Sequence, residues 1–126
     1  YVLADCEGTP DIILIATGSE LSLVADAYET LKADGVKVRV VSLPSWYRFE
    51  MQDAAYKESV LPRGVTKRLA VEQAGSIGWD RYVGFDGRTI TMSTFGASAP
   101  LAKLQDKFGF THDNVVKVAR EMLETK

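Results

Sequence analysis

Short apolar runs alternate along the chain with segments that repeat hydrophobic residues at helical spacing. Residues 12–16 form a continuous apolar run between Pro10 and Gly18. A run that is apolar on both faces predicts a strand covered on both sides, which is typical of parallel strands in α/β proteins. The next hydrophobic positions, 21, 24, 25, 28 and 31, have the spacing of one helical stripe. This alternation predicts an α/β fold.

The first helix has local signals at both ends. Thr17 and Glu20 have the spacing of a capping box at the N-terminus, and Gly35 provides the left-handed residue that ends a helix. The β-branched segment 36–43 then predicts the second core strand, which Pro44 ends. Strand, helix and strand in this order predict a right-handed crossover and parallel pairing.

Three further segments have the composition of strands. Residues 66–72 predict a third parallel strand, and residues 88–93 alternate hydrophobic and polar side chains as a strand does. Residues 1–4 predict an edge strand, and the link from there to residue 12 is too short for a parallel crossover. We therefore expect this edge strand to pair antiparallel or elsewhere in the sheet.

Further helices are predicted between and after these strands. Residues 52–61 predict a short helix, Pro100 opens another, and Thr111 begins the last one. Residues 46–51 predict a packed turn, and residues 73–87 predict a loop with a short helix. The residues that indicate the packed turn are Trp46, Phe49 and Met51.

Together these elements predict one domain over residues 1–126. Apolar strands of this kind need a layer of helices on each face, so the expected architecture is a three-layer α/β/α fold with about five strands.

Length and charge exclude several classes of protein. The chain has 126 residues, 15 Lys and Arg against 17 Asp and Glu, and a net charge of −2. Without a basic excess, it is not a general electrostatic binder of nucleic acids. No apolar run reaches the roughly 20 residues that span a membrane, and we expect no signal peptide. We expect a reduced, cytoplasmic domain, and the first residue, Tyr1 rather than Met, indicates that something was cut from its front.

Few side chains have the chemistry of a catalytic or metal site. Cys6 is the single cysteine, so it cannot form an internal disulfide, and with the single His112 it cannot complete a zinc site. His112 lies in the first turn of the last helix, where we expect surface exposure rather than catalysis. Asp5 and Glu7 flank Cys6 and oppose thiolate formation, so we expect an unreactive thiol.

The turn after residues 12–16 is the best candidate for anion binding. At Thr17, Gly18 and Ser19, backbone N–H groups and the helix dipole converge, so the turn could hold a phosphate or a carboxylate. The Glu20 carboxylate would compete with such an anion, which favours a plain helix cap. The spacing matches neither the dinucleotide-binding motif nor the P-loop.

Two further groups of side chains lie in predicted loops. Glu72 and Asp80 flank the loop after the third parallel strand, where open α/β sheets place ligands, although a structural role is favoured for this pair. Loop aromatic residues either cover the core or anchor a subunit interface, and both interpretations stay open. These aromatic residues are Trp46, Tyr47, Phe49, Trp79, Tyr82, Phe85 and Phe95.

A series of short motifs resembles the C-terminal domain of the transketolase family over almost the whole chain. The motifs are residues 16–20, 44–46, 52–56, 58–62, 71–72, 78–79, 82–84, 94–100 and 108–111. The most specific is Thr94-Phe95-Gly96-Ala97-Ser98-Ala99-Pro100. This motif resembles transketolase rather than the related third domains of deoxyxylulose-phosphate synthase and pyruvate dehydrogenase.

The resemblance implies a mixed five-stranded sheet with four parallel strands and one antiparallel strand. It also implies a parent enzyme that is a cytoplasmic homodimer of the pentose phosphate pathway. Such an enzyme transfers a two-carbon ketol unit from a ketose phosphate to an aldose phosphate. The family uses thiamine diphosphate and a divalent cation, Mg or Ca, which bind on domains that this chain does not carry.

On this basis the resemblance implies no catalytic, cofactor-binding or metal-binding residue on this chain. The implied partners are the remaining transketolase domains, a homodimer partner and the sugar-phosphate substrates of the parent enzyme, with no nucleic acid and no membrane.

Our main hypothesis is a structural domain that supports the middle domain and the dimer interface of a transketolase. Two loops supply the candidate interface residues, which are Trp79, Tyr82, Phe95, Gly96, Ser98 and Pro100. Two alternatives stay open. One is a module that binds a small anion or a regulator at Thr17, Gly18 and Ser19, and the other is a separate subunit of a split thiamine-diphosphate enzyme.

Overall fold

The computed structural model describes residues 1–16, 20–43, 46–72, 80–84, 87–91 and 111–124. Within them, five strands form one sheet in the order β1-β3-β2-β4-β5. Strand β1 pairs antiparallel with β3, and the other neighbouring strands pair parallel. This arrangement confirms the expected mixed sheet with one antiparallel edge strand. The strands are β1 (Val2–Ala4), β2 (Ile12–Ala16), β3 (Val38–Ser42), β4 (Arg68–Glu72) and β5 (Arg88–Thr91).

Helices cover both faces of the sheet, which confirms the three-layer α/β/α architecture. In the described part of the chain they are α1 (Glu20–Ala33), α2 (Trp46–Glu50), α3 (Ala54–Val60), α4 (Asp80–Val83) and α5 (His112–Glu124). Helices α1 and α5 pack together over one face. Helices α2, α3 and α4 contribute to a second core on the other face. As far as the structure describes the chain, the second helical layer therefore consists of three short helices.

Strand β2 lies at the centre of the sheet and none of its five residues is exposed to solvent. Ile12, Leu14 and Ala16 belong to the core under α1 and α5. Ile13 and Ile15 belong to the core under the three short helices. Successive side chains of a strand point to opposite faces, and each face of β2 is covered by its own core. Every residue of this strand must therefore be apolar, as the continuous apolar run in the sequence predicted.

The C-terminus of α1 confirms the predicted role of Gly35. The N–H of Gly35 donates to the Lys32 carbonyl oxygen at 3.0 Å, and the N–H of Val36 donates to the Leu31 carbonyl oxygen at 3.1 Å. Gly35 has φ of 83°, which is the left-handed conformation of the Schellman motif. The predicted cap at Thr17 lies outside the described residues.

Two other helices begin on side-chain caps. Asp53 precedes α3, and its Oδ1 accepts the Tyr56 N–H at 2.7 Å. Thr111 precedes α5, and its Oγ1 accepts the Asn114 N–H at 3.2 Å, which confirms the predicted start of the last helix. Such caps satisfy N–H groups that have no partner inside the helix.

The packed turn predicted over residues 46–51 is wrong in part. Trp46–Glu50 form the short helix α2 rather than a turn, and Phe49 is buried. Met51, however, is 67% exposed. The chain turns directly after the helix, where the Gln52 N–H donates to the Phe49 carbonyl oxygen at 3.1 Å. Met51 lies in this turn, and its side chain is exposed to solvent.

Several other boundaries differ from the predicted ones by a few residues. Strands β3 and β4 each begin two residues later than predicted, at Val38 and Arg68. The residues directly before them still bond to the neighbouring segment: the Lys37 carbonyl oxygen accepts the Asp11 N–H at 2.7 Å, and the Lys67 carbonyl oxygen accepts the Ile13 N–H at 3.0 Å. The predicted helix opened by Pro100 lies outside the described residues.

Two arginines flank the central strand on the face covered by the short helices. Ile13 of β2 is in register with Arg39 of β3 on one side and with Arg68 of β4 on the other. Side chains at in-register positions of parallel strands point to the same face. Both cationic side chains therefore enter the layer that contains α3.

Arg39 joins the link after β1 to the C-terminus of α3. Its Nε and Nη2 donate to the two carboxylate oxygens of Asp5 at 2.9 and 3.2 Å. Its Nη1 donates to the carbonyl oxygens of Ser59 and Val60 at 2.9 and 3.1 Å. The guanidinium thus forms a bidentate ion pair and also satisfies carbonyl groups that a helix leaves unpaired at its end.

Arg68 binds backbone carbonyl groups from two separate segments. Its Nη2 donates to Leu61 and Pro62 at 3.2 and 2.7 Å, and its Nε donates to Val65 at 2.9 Å. Its Nη1 donates to the Tyr82 carbonyl oxygen at 2.8 Å, at the end of α4. Burial lowers the pKa of the Arg68 guanidinium, yet arginine stays charged at neutral pH. This one side chain therefore holds α4 to the segment after α3.

We predict that Arg68→Met lowers the free energy of unfolding of the chain by about 2–4 kcal/mol in urea denaturation. The substitution leaves partly buried carbonyl oxygens without donors, at a cost of about 1–3 kcal/mol for each one that water cannot reach. Arg63→Met is the matched control, because the Arg63 side chain is 92% exposed in its pair with Glu58. It should change stability by less than about 0.5 kcal/mol. Equal effects of the two substitutions would contradict the assigned role of Arg68.

We predict that Gly35→Ala destabilises the chain by about 1–2 kcal/mol in the same assay, because an L-residue is strained at this left-handed position. Space is not the cause, since an added Cβ at Gly35 meets no atom within 4 Å. Gly64→Ala is the control: its Cβ also meets nothing within 4 Å, and Gly64 does not have positive φ. This control should be neutral or stabilising by up to about 1 kcal/mol. If both variants behave alike, backbone conformation is not what selects glycine at position 35.

The Asp5–Arg39 pair predicts a dependence of stability on pH. Burial acts to raise the pKa of Asp5, but hydrogen bonds from Arg39 and the Cys6 N–H, with the Arg39 charge, outweigh it and lower the pKa. A carboxylate whose pKa is lower in the folded state stabilises the fold at pH values above its unfolded-state pKa of about 3.9. This stabilisation is lost as the pH falls through the folded-state pKa. The stability difference between the wild-type chain and Asp5→Asn should therefore be constant from pH 5 to 7 and shrink below about pH 4. A difference that grows on acidification would show the opposite linkage.

Candidate functional site

The carboxyl ends of the parallel strands are the edge where open α/β sheets bind ligands. Thr17, Gly18 and Ser19 directly follow β2 at this edge, and they lie outside the described residues. The anion-binding hypothesis for this turn therefore stays a prediction. Nearby, the Leu43 N–H donates to the Ala16 carbonyl oxygen at 3.1 Å, so these two backbone groups continue the sheet pairing.

For the carboxylate pair Glu72 and Asp80, the structure describes only the backbone positions. Glu72 is the last residue of β4, and Asp80 is the first residue of α4. Their side chains are not described, so the preference for a structural role stays a prediction.

Tyr82 is the one candidate interface residue that the structure describes, and it is 2% exposed. Its hydroxyl donates to Glu50 Oε1 at 3.0 Å. Its ring meets the Phe49 ring edge-on, with centroids 5.9 Å apart. Tyr82 thus links α4 to α2 inside the chain, and its role at a subunit interface stays a prediction. Five further candidates lie outside the described residues: Trp79, Phe95, Gly96, Ser98 and Pro100.

A cleft of about 320 Å³ lies beside these contacts, between α2, α3 and the end of α4. Its charged side chains are paired across short distances. Lys57 Nζ lies 3.6 Å from Glu50 Oε2, and Arg63 Nε lies 3.3 Å from Glu58 Oε2. Arg68, the fifth charged residue of the lining, donates to four backbone carbonyl groups, so each charged side chain of this cleft is already engaged within the chain. Its lining residues are Phe49, Glu50, Ala54, Lys57, Glu58, Leu61, Arg63, Arg68 and Tyr82.

A second cleft, of about 530 Å³, lies at the amino ends of β2, β3 and β4. Its polar groups hold the backbone together. Asp11 Oδ2 accepts the Lys37 N–H at 3.1 Å, and Lys67 Nζ donates to the Leu123 carbonyl oxygen at 3.2 Å. This edge is opposite the one where α/β sheets place ligands. These contacts indicate a structural surface.

His112 bridges α5 and α1. Its Nε2 lies 2.7 Å from Thr30 Oγ1, and its Nδ1 lies 3.1 Å from Asp113 Oδ1. A hydroxyl, an imidazole and a carboxylate connected in this order have the connectivity of a nucleophilic triad.

Three observations argue against catalysis by this group. The Asp113 side chain is 99% exposed, so it cannot fix the imidazole as a buried carboxylate does. The Thr30 hydroxyl also donates to the Asp26 carbonyl oxygen of its own helix at 3.4 Å, so its proton is not directed at the imidazole alone. Neither of the two clefts described above is lined by Thr30 or His112. The group is best interpreted as a contact between helices, which the sequence could not reveal because Thr30 and His112 are far apart in the chain.

Cys6 has the properties of an unreactive thiol. Burial raises its pKa, and the charge of Asp5 raises it further, which disfavours the thiolate. The Sγ lies 3.8 Å from the Gly8 carbonyl oxygen. The position of Asp5 is in line with its predicted effect on the thiol.

The described side chains do not form a site for a divalent cation. Within the described ranges, no three His, Cys, Asp or Glu residues come together as metal ligands. The residues in this part of the chain therefore do not fit the divalent cation that the resemblance implies, and no chemical step through such a cation is assigned to them. No helix within these ranges is both long and apolar enough to cross a membrane.

Comparison with known proteins identifies the family. Residues 1–111 match the model of the transketolase-like TK C-terminal domain. Transketolase from Nostoc is 59% identical over 123 residues, which are 98% of this chain and 18% of that protein. Transketolase 1 from Escherichia coli is 57% identical over the same share of this chain and 19% of its own length.

Solved structures agree with the sequence comparison. Transketolase from Leishmania mexicana superposes with a TM-score of 0.89 at 39% identity, covering 98% of this chain and 18% of the other. A split-gene transketolase, described as an inactive beta4 tetramer, has a TM-score of 0.64 at 23% identity and shows the fold alone.

In the transketolases of Nostoc, Escherichia coli and Leishmania mexicana the match covers a similarly small share of the protein. The sequence motifs and the strand order of this chain are in line with the same family. The chain spans about a fifth of the length of the relatives that it matches. The resemblance stated from the motifs is confirmed: this chain belongs to the transketolase family, as its C-terminal domain.

Proposed function

We propose that the chain acts as the structural C-terminal domain of a transketolase and supplies no catalytic group itself. The whole enzyme would transfer a two-carbon ketol unit from a ketose phosphate to an aldose phosphate, with thiamine diphosphate and Mg or Ca bound on other domains. The observation that carries this proposal is the 59% identity to a transketolase over 98% of this chain but only 18% of that protein. The complete reaction then depends on residues outside this match.

The contacts of the described polar side chains support a structural role. Arg39 and Arg68 are occupied by backbone carbonyl groups at the end of α3. His112 joins two helices, and the pKa of Cys6 is raised rather than lowered. Catalytic groups usually have pKa values shifted towards their task and face a cleft. These groups are instead engaged in holding the fold.

The proposed setting follows from the family. The chain would support the middle domain and the dimer interface of a cytoplasmic homodimer in the pentose phosphate pathway. Its interface loops would be those that contain Trp79, Tyr82 and the motif at residues 94–100. A net charge of −2 gives no support to a nucleic-acid partner.

We predict that the isolated chain does not bind thiamine diphosphate in the presence of magnesium. Isothermal titration calorimetry should give no heat of binding at micromolar to sub-millimolar ligand, because the residues that hold the cofactor are proposed to lie on other domains. A complete transketolase that contains this domain is the positive control. Micromolar binding to the isolated chain would contradict the proposed structural role.

The complementary experiment removes the domain from the complete enzyme. A transketolase that lacks these residues should form a weaker dimer in analytical ultracentrifugation and lose activity with it. An unchanged dimer would exclude the proposed support of the interface.

A further inference from the structure

Tyr82 is held at both its side chain and its backbone by residues from other elements. The hydroxyl donates to the Glu50 carboxylate of α2 at 3.0 Å, and the carbonyl oxygen accepts from Arg68 of β4 at 2.8 Å. A phenol buried without an acceptor would cost about 1–3 kcal/mol, and a carboxylate is a strong acceptor for it. The contact with Glu50 is therefore an energetically important link between α2 and α4.

Helix α4 depends on such links because it is only four residues long. Helices of this length have too few internal hydrogen bonds to be stable by themselves, so packing and side-chain contacts decide their position. Gly84 follows with φ of 73° and ends the helix directly after Val83. The contacts of Tyr82, which is buried and bonded at two of its atoms, thus contribute to the orientation of α4.

The ion pair of Glu50 with Lys57 is weaker than the hydrogen bond of Glu50 with Tyr82. The two side chains are 35–36% exposed and 3.6 Å apart, and exposed pairs of this kind contribute about 0–1 kcal/mol. The Tyr82 hydroxyl, in contrast, belongs to a side chain that is 2% exposed. Loss of the hydrogen bond should therefore affect α4 more than loss of the charge pair.

We propose that Glu50 is a positioning residue: its carboxylate, through the buried Tyr82 hydroxyl, fixes the orientation of α4 against α2. This inference rests on the proposed function in one respect, namely that α4 contains Tyr82, a candidate for the dimer interface of the parent enzyme. Glu50 acts on the interface through Tyr82. It is accordingly a residue that arranges an interface element from inside the domain.

The test measures the exchange of backbone amides by NMR in the isolated chain. Tyr82→Phe removes only the hydroxyl, and Glu50→Ala removes its acceptor. Each should increase the exchange rate of the α4 amides about tenfold, and the double variant should add no further increase, because both changes break the same link. Glu50→Gln keeps an acceptor oxygen but not the charge, so it should change the rate less than about threefold.

Two controls separate positioning from general loss of stability. Tyr56→Phe removes a hydroxyl from a second tyrosine whose ring packs near Phe49, with ring centroids 6.4 Å apart, and should leave α4 exchange within about twofold. The amides of β2 report global unfolding, so Gly35→Ala, which strains the end of α1 on the other face of the sheet, should accelerate their exchange. It should leave α4 exchange within about twofold, because the strain persists when α4 opens locally. The proposal is overturned if Tyr82→Phe leaves α4 exchange unchanged, or if Gly35→Ala accelerates α4 exchange as much as Tyr82→Phe does.

A second measurement separates this inference from the proposed function. In a complete transketolase that contains the domain, Tyr82→Phe should raise the dimer dissociation constant about tenfold, while Tyr56→Phe should not. Faster α4 exchange in the chain with an unchanged dimer would support positioning by Glu50 and contradict the interface role of α4.

Discussion

The five residues of β2 are all apolar, and all five are completely buried. Because neighbouring side chains point to opposite faces, this strand is stable only when a core covers each side of the sheet. The long helices α1 and α5 form one cover, and the short helices α2, α3 and α4 contribute to the other. The two neighbours of β2, namely β3 and β4, pair with it in parallel, so the chain must cross over the sheet between strands.

The layer of short helices needs additional hydrogen-bond donors. Each helix leaves carbonyl groups unpaired at its C-terminus, and several short helices have more such ends than one long helix. Arg39 and Arg68 supply the donors from positions in register with Ile13. Burying a guanidinium is costly, as the lowered pKa of Arg68 shows. Its four carbonyl acceptors offset this cost. The same atoms that make this layer stable are therefore unavailable for binding a substrate.

Local signals in the sequence predicted much of the fold, and contacts between distant residues account for most of what it missed. The glycine that ends α1 and the apolar run of β2 are determined by interactions within a few neighbouring residues, so the local sequence is enough to predict them. The exposure of Met51 was missed because hydrophobic character does not say which way a turn directs a side chain. The Tyr82–Glu50 hydrogen bond joins residues 32 positions apart, and no periodicity reports it. The motifs predicted the family but could not show which polar groups are used inside the domain.

The use of polar groups in the described part of the chain is in line with the structural role proposed for this domain. A catalytic group must be available to a substrate, whereas Arg39, Arg68 and Glu50 are each bound to other parts of this chain. Such internal bonds make short helices rigid, and rigid elements form interfaces at a lower entropic cost than mobile ones. A layer of short helices fixed by buried polar contacts is thus suited to present a surface to other domains. Among the described residues, the contacts of Arg39, Arg68 and Glu50 therefore hold the short helices in the positions from which that surface is formed.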